Sequence, residues 1–282
     1  MANAQFVSST YTIPGTTREV FLKYLLCCEN DIVLRSISGS VKDSGYYGVN
    51  GTFFAGGNLI GVAINNGSQI RNYGTMNRDP QQMGTQAATG CGTYFLLKEP
   101  QNNIMGGTDI IAEYEGHNYE GIQLSISNTK FAIGGTSLFT SETSLTQNAY
   151  YSRILNENPP PYAVRRSRTA IVYFGGSIGG LNTALLTVHG PVDESNSSGN
   201  NYVTMDNDKG VTLWELRNLI NDVFAPMVPE PTGVIYHAVA LDGGGSTQIA
   251  YKASNGARVT YQSVDTYENH NRTVYSMLCV PM

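Results

Sequence analysis

Apolar positions along the chain fall mostly into short runs separated by Gly, Asn, Ser and Pro, a spacing of strands and turns rather than long helices. The first run, Arg18 to Cys28, sets Val20, Phe21, Leu25 and Leu26 at helical spacing and predicts a short helix. Strands are predicted over Ile32 to Ile37, Gly48 to Phe54 and Leu59 to Ile64. Gly39, Gly56-Gly57 and Asn65-Asn66-Gly67 supply the turn signals around them. Gln69 to Gly92 is polar and glycine-rich, which predicts a long loop near a site. Strand patterns return at Thr93 to Leu97, Ile110 to Tyr114, Gly121 to Ser127 and Phe131 to Ile133. Ser141 to Ser167 contains Pro159-Pro160-Pro161 and reads as an irregular excursion within one domain, since strand signals on both sides look alike. Thr169 to Phe174 and Thr183 to Val188 are continuous apolar runs, the pattern of buried strands. Pro191 to Asn201 reads as a loop rich in Ser, Asn and Gly.

The strongest helical pattern covers Leu213 to Phe224, with Leu213, Leu216, Ile220, Val223 and Phe224 on one face. Thr212, with Glu215 three residues later, predicts a capping box, and Pro226 marks the end. A strand over Ile235 to Leu241 feeds directly into Asp242-Gly243-Gly244-Gly245-Ser246-Thr247. Ile249 to Lys252, Arg258 to Tyr261 and Arg272 to Val280 complete the strands. No fixed-period repeat is visible, against solenoids and propellers. The expected fold is α+β: one domain over 1–282 with a mixed β-sheet core and a few helices, residues 1–47 packing on it.

Composition narrows the function classes. Only 14% of the 282 residues are charged, against roughly 25% in an ordinary soluble domain, while 10% are aromatic, so the chain is not intrinsically disordered. No apolar stretch approaches the length of a membrane span. The net charge is −5, and only Val164-Arg165-Arg166-Ser167-Arg168 concentrates basic residues, which argues against a nucleic-acid partner. Met1 to Phe6 has neither a basic nor an apolar signal region. Cys27, Cys28, Cys91 and Cys279 lack metal-binding spacing and read as buried free thiols, which fits a reducing cytoplasm. His117, His189, His237 and His270 lie far apart in sequence. No metal site is assigned and no cofactor is predicted; a divalent metal stays undetermined, and no acidic run has calcium-loop spacing.

Four segments could carry chemistry. In Leu241 to Thr247 a buried strand ends in a carboxylate, three glycines and two hydroxyls. Glycines let a ligand approach the backbone, and successive N–H groups can form an anion nest. The plainer reading is a glycine turn capped by Asp242. Gly48 to Phe54 contains Asn50-Gly51, which is also a simple hairpin signal. Arg168-Thr169-Ala170-Ile171 places an Arg at the start of a buried strand, where it could hold a phosphate bidentately or simply face water. In Gly210 to Glu215 the carboxylate closes the capping box or serves catalysis, and the cap is weighed more heavily.

Taken in this order, the four segments resemble the motifs of the phosphodiester glycosidase family. That pattern runs Asn-Gly-Gly-Phe-Phe, Arg-Thr-Ala, Gly-x-Thr-Leu-x-Glu and Asn-Leu-Asp-Gly-Gly-Gly-Ser-Ser. Its counterparts here are Asn50 to Phe54, Arg168 to Ala170, Gly210 to Glu215 and Leu241 to Thr247. Ala132 to Gly135 and Asn271 to Val274 also resemble family segments, so the likeness runs from Gly48 onward. Thr52 replaces the second Gly, Ala240 the Asn before Leu241, and Val172 a common Gly. His189-Gly190 stands where an acidic residue and Gly are common. These departures alter the lining of the site.

The resemblance implies a hydrolase that cleaves the glycosidic bond of a sugar-1-phosphodiester or related sugar nucleotide. Such a substrate has a good leaving group, so the site must bind phosphate, stabilise an oxocarbenium-like state and position water. Arg168 and the Gly243, Gly244 and Gly245 amides are expected to hold the phosphate. Asp242 would contact the sugar or orient water. Asn50 and Ser246 would supply hydrogen bonds, with Gly51, Thr52, Thr169 and Thr247 lining the pocket. Glu215 is the candidate second carboxylate, and His189 or His237 the candidate base. The setting would be a bacterial or phage-infected cytoplasm. The partner would be a small sugar phosphodiester or nucleotide ligand, with no membrane partner, and a homo-oligomer is compatible. Two alternatives stay open: a non-catalytic binder that sequesters such a ligand, and a structural or adhesive module.

Overall fold

The structure, a computed structural model, describes residues 4–70, 91–101, 103–111, 125–154, 163–178, 180–190, 194–195, 201–204, 210–228, 237–264 and 272–282. Among these the chain forms β1 (Gln5–Thr12), β2 (Glu19–Cys27), β3 (Val33–Gly39), β4 (Tyr47–Asn50), β5 (Phe54–Ala55), β6 (Asn58–Leu59) and β7 (Ala63–Asn65). There follow β8 (Ser68–Gln69), β9 (Cys91–Gln101), β10 (Ile104–Ile111), β11 (Thr129–Ser137), helix α1 (Gln147–Ile154), β12 (Arg168–Ile178) and β13 (Leu181–His189). The remainder is β14 (Glu194–Ser195), β15 (Asn201–Thr204), helix α2 (Leu213–Phe224), β16 (His237–Ala240), β17 (Gln248–Lys252), β18 (Arg258–Val264) and β19 (Val274–Val280).

Two sheets hold most of these strands. The larger runs β1-β2-β13-β12-β16-β11-β7-β8, with β9 also on β11 and β10 on β9. The smaller runs β14-β15-β18-β17-β4-β19-β3, and β5 pairs with β6 alone. Pairing is antiparallel except for β15 beside β18. The larger sheet is covered on both faces. On one face Val20, Leu22, Ala170, Val172, Leu186 and Val188 pack under α1 and α2. On the other, Leu25, Ile171, Leu185 and Val239 meet Val49, Ile249, Tyr261 and Leu278 of the smaller sheet. The layers are therefore helices, sheet and sheet: a sheet-rich α+β architecture.

Helix α2 shows why the sequence folds this way locally. Leu213, Leu216, Leu219, Ile220 and Phe224 are buried on one stripe. Each such side chain contributes roughly 2 kcal/mol by leaving water. Thr212 Oγ1 accepts from Glu215 N at 3.1 Å, and Glu215 Oε2 accepts from Thr212 N at 2.9 Å, completing the capping box. Thr212→Ala is expected to cost about 1 kcal/mol, read as a lower denaturant midpoint at unchanged m-value.

The helix expected over Arg18 to Cys28 is instead strand β2, a correction with a clear cause. Val20, Leu22, Tyr24 and Leu26 face the helices, while Leu25 and Cys27 face the smaller sheet. A strand buried on both faces loses its alternation, and the remaining apolar run imitates a helical stripe. The irregular stretch from Ser141 contains α1, which the sequence reading missed. Residues 194–195 of the loop expected over Pro191 to Asn201 pair as β14 on β15. Asn50-Gly51 is not a hairpin turn, because β4 lies between β17 and β19. Most of the loop expected over Gln69 to Gly92, residues 121–124 of the strand expected over Gly121 to Ser127, and Pro159 to Pro161 fall outside the described residues, while residues 125–127 lead into a turn before β11 rather than a strand. Cys27, Cys28 and Cys279 are free thiols. Among the described residues no helix is long and apolar enough to cross a membrane.

Candidate functional site

Asn50 ends β4 and is wholly buried. Its Oδ1 accepts from Thr169 Oγ1 at 2.8 Å and from Gln248 N at 3.0 Å. Its Nδ2 donates to Asp242 O at 2.7 Å. One amide thus ties the smaller sheet to β12, to β17 and to the glycine loop that leaves β16. Gly51 must be glycine here, since a Cβ would lie 2.3 Å from Ser276 Oγ. Gly51 N donates to Ser276 O, and Gly51 O accepts from Asp242 N.

The Asp242 loop is held from the other side by the start of β12. Gly244 N donates to Ser167 O at 2.8 Å, Ser246 N to Gly243 O and Thr247 N to Gly244 O. Gly244 has φ +61, and a Cβ on Gly243 would press on Ser167 O at 2.9 Å. Of the three glycine amides expected to face a ligand, that of Gly244 is therefore spent inside the fold. Those of Gly243 and Gly245 are committed to no backbone carbonyl among the described residues. Asp242 is half-buried, whereas Ser246 and Thr247 are buried. Buried Thr247 Oγ1 and Thr52 Oγ1 have no hydrogen-bond partner among the described residues. Thr52 Oγ1 lies against Gly61, where a Cβ would sit 2.5 Å from it.

Arg168 enters the same junction from below. Its Nε donates to Val211 O at 3.1 Å and its Nη2 to Val164 O at 2.7 Å. Burial pushes its pKa down to about 10; Arg166 adds to this, and Tyr150, Tyr151 and Asp242 oppose it. It remains a cation at neutral pH, with two of its five N–H groups turned to the backbone. Arg166 pairs with Val211 through both backbone hydrogen bonds. Gly210, at φ +83, allows this approach, since a Cβ would lie 2.3 Å from Arg166 O. The Asn50, Arg168, Gly210 and Asp242 segments thus meet in one place.

The other expected participants are differently placed. Glu215 has both oxygens engaged: Oε2 in the capping box, and Oε1 with Arg18 Nη2 at 2.5 Å and Arg165 Nε at 3.5 Å. It has no oxygen for a substrate without giving up the cap or these ion pairs. His189 is buried at the end of β13, on the face toward the smaller sheet. Its Nδ1 lies 2.7 Å from Gly190 O, which can only accept, so Nδ1 carries the proton. Nε2 then accepts from Lys23 Nζ at 2.9 Å. Both ring nitrogens are committed. Burial, with the Lys23 charge beside it, pushes the pKa down to about 3, so His189 is not poised as a base near neutrality. His237 opens β16, five residues before Asp242, so the length of the strand, roughly 16 Å, separates them. There it stacks on Tyr173, with Nδ1 3.4 Å from Thr108 Oγ1, and burial pushes it down to about 4. The structure does not bring His237 to the glycine loop. His117 and His270 lie outside the described residues.

Gln248 is a site residue that the motif reading missed. It follows Thr247 directly, its Oε1 accepts from Val41 N, and its Nε2 donates to Arg272 O. The signal available in the sequence is a polar residue opening an apolar strand directly after the motif. Among the described residues no cluster of His, Cys, Asp and Glu is arranged to hold a metal ion.

No family model matches the chain, and no curated protein matches it. Among solved structures, a Burkholderia pseudomallei protein named as an exported protein aligns over 96% of this chain and 76% of its own, with 12% identity and a TM-score of 0.45. That likeness assigns neither a family nor an activity.

Proposed function

We propose that the chain is a phosphodiester-glycosidase-like hydrolase that cleaves a sugar-1-phosphodiester or sugar nucleotide at the Asp242 loop. The observation that carries this reading is the convergence of four segments far apart in sequence on Asn50 and Ser167-Arg168, around one half-buried carboxylate. Arg168, with Arg165 and Arg166 nearby in the chain, supplies positive charge for a phosphate, and the Gly243 and Gly245 amides supply donors. A phosphate leaving group needs little protonation, so a single carboxylate is enough: Asp242 positions water or steadies the sugar at the oxocarbenium-like stage. Glu215 has its structural duty and is left out of this mechanism, as are His189 and His237.

The test is turnover of a panel of sugar-1-phosphodiesters and nucleotide sugars, followed by mass spectrometry. Asp242→Asn is expected to lower kcat/KM at least about 100-fold, with an unchanged melting temperature. Equal turnover by wild type and Asp242→Asn would remove the assignment. A second reading, sequestration without cleavage, is favoured by the engaged state of Glu215 and His189. It predicts ligand recovered intact from the protein, with Arg168→Met weakening retention and Asp242→Asn leaving cleavage at zero in both forms.

A further inference from the structure

Lys23 lies on β2, on the face turned to the smaller sheet. Its Nζ sits 4.4 Å from the centroid of the Tyr261 ring and 6.0 Å from that of Phe21. The His189 ring that accepts from it is layered between the same two side chains, 4.0 Å from Tyr261 and 5.6 Å from Phe21. No carboxylate makes an ion pair with Lys23 among the described residues. The amine is thus held by an imidazole lone pair and a π face, neither of which neutralises an ammonium as a carboxylate does. The imidazole is fixed in the tautomer that keeps Nε2 as acceptor, because Nδ1–H is bound to Gly190 O. Thr187 Oγ1, on the neighbouring strand, donates to Lys23 O and so fixes the backbone at this point.

We propose that Lys23 is a covalent modification site, an amine presented beside His189 that condenses with small aldehydes to form an imine. The nitrogen pair adds to the carbonyl carbon, and the C–N bond forms as the C=O π pair moves to oxygen. Both amine hydrogens leave with that oxygen as water, carried by solvent, and the nitrogen pair closes the C=N bond. No oxidant or reductant enters. Burial lowers the amine's pKa to about 8, which supports the same assignment. At pH 7 an amine of that basicity is unprotonated about 200 times more often than an ordinary lysine. His189 directly follows Val188, the partner of Arg168, and so lies near the Asp242 loop, but the reactivity of the amine does not depend on the function proposed for that loop.

The experiment treats the full chain at pH 7 with glycolaldehyde and cyanoborohydride, which traps the imine, and maps labelled peptides by mass spectrometry over time. Lys42, Lys98, Lys130 and Lys252 are internal references in the same molecule. Initial labelling of Lys23 is expected to exceed that of each reference about tenfold, the advantage in free amine being reduced by its lower nucleophilicity and partial burial. His189→Leu, which removes the acceptor that holds Nζ, is expected to erase most of that excess. Labelling of Lys23 no faster than the references in the wild-type chain overturns the proposal, whatever the variant does.

Discussion

Asn50→Ala is expected to destabilise the protein by about 4 kcal/mol, since buried hydrogen-bonding groups left without partners cost roughly 1–3 kcal/mol each. The substitution strands the Thr169 hydroxyl and Gln248 N–H, which both donate to Oδ1, and the Asp242 carbonyl that accepts from Nδ2. Thr169 and Gln248 are buried, and water reaches them only if the two sheets separate. Urea denaturation of wild type and variant measures the loss. Asn50→Asp separates the two halves of the amide's work. The new carboxyl still accepts from Thr169 and Gln248, but it faces Asp242 O without a donor unless it takes up a proton. Its folded pKa is then raised above its unfolded value, so its penalty grows as pH rises through that window and shrinks as pH falls. The difference from wild type is expected to be smaller at pH 4 than at pH 7. A pH-independent difference would mean that the bond to Asp242 contributes nothing. Because that bond anchors the loop backbone, either variant should also disturb whatever ligand the loop holds.

The second large effect is loss of stability in mild acid. His189 and His237 are pushed to about 3 and about 4, burial being the main cause in both. Between those values and the unfolded value near 6.5, the unfolded chain binds protons that the folded chain does not. Stability is therefore fully present above about pH 6.5 and falls as pH drops below it. Each histidine is expected to remove about 2 kcal/mol by pH 5, the two together about 4 kcal/mol. The check is a set of urea midpoints from pH 7.5 to pH 5. His237→Gln should flatten the curve by about half, because the amide cannot take up a proton. A wild-type midpoint that stays constant over this range would show that neither histidine is protected in the fold.

Parts of this molecule are plain in the sequence, for identifiable reasons. Helix α2 matches its predicted span because one face lies on a sheet and the other on water, so its pattern carries both period and phase. Strand β2 lies in the interior of the larger sheet, and burial on two sides removed the alternation that would have marked it. The glycine loop after β16 stood out because positive φ and close backbone approach select one residue type. The duties of the polar residues did not stand out. Asn50 finds partners 119, 192 and 198 residues away, and nothing local distinguishes a hub from a turn. The cap formed by Thr212 and Glu215 is legible, because both halves of that motif lie within four residues. His189 and Lys23 meet across 166 residues, a pairing fixed only by the register of β13 on β2.

The position of β4 has a consequence for the birth of the molecule on the ribosome. Asn50 is made before its partners: β4 is flanked by β17 on one side and β19 on the other, and β19 also pairs with β3. One edge of β4 cannot close until β17 (Gln248–Lys252) has been made, and the other not until the chain reaches Val280. β3 and β4 must wait with unpaired strand edges while the chain up to β17 and β19 is made, a state open to wrong pairing and to chaperone capture. Such distant pairings also slow folding after release. The candidate site is therefore among the last features to assemble, and a chain cut short before β19 would carry every motif residue while lacking the frame that brings them together.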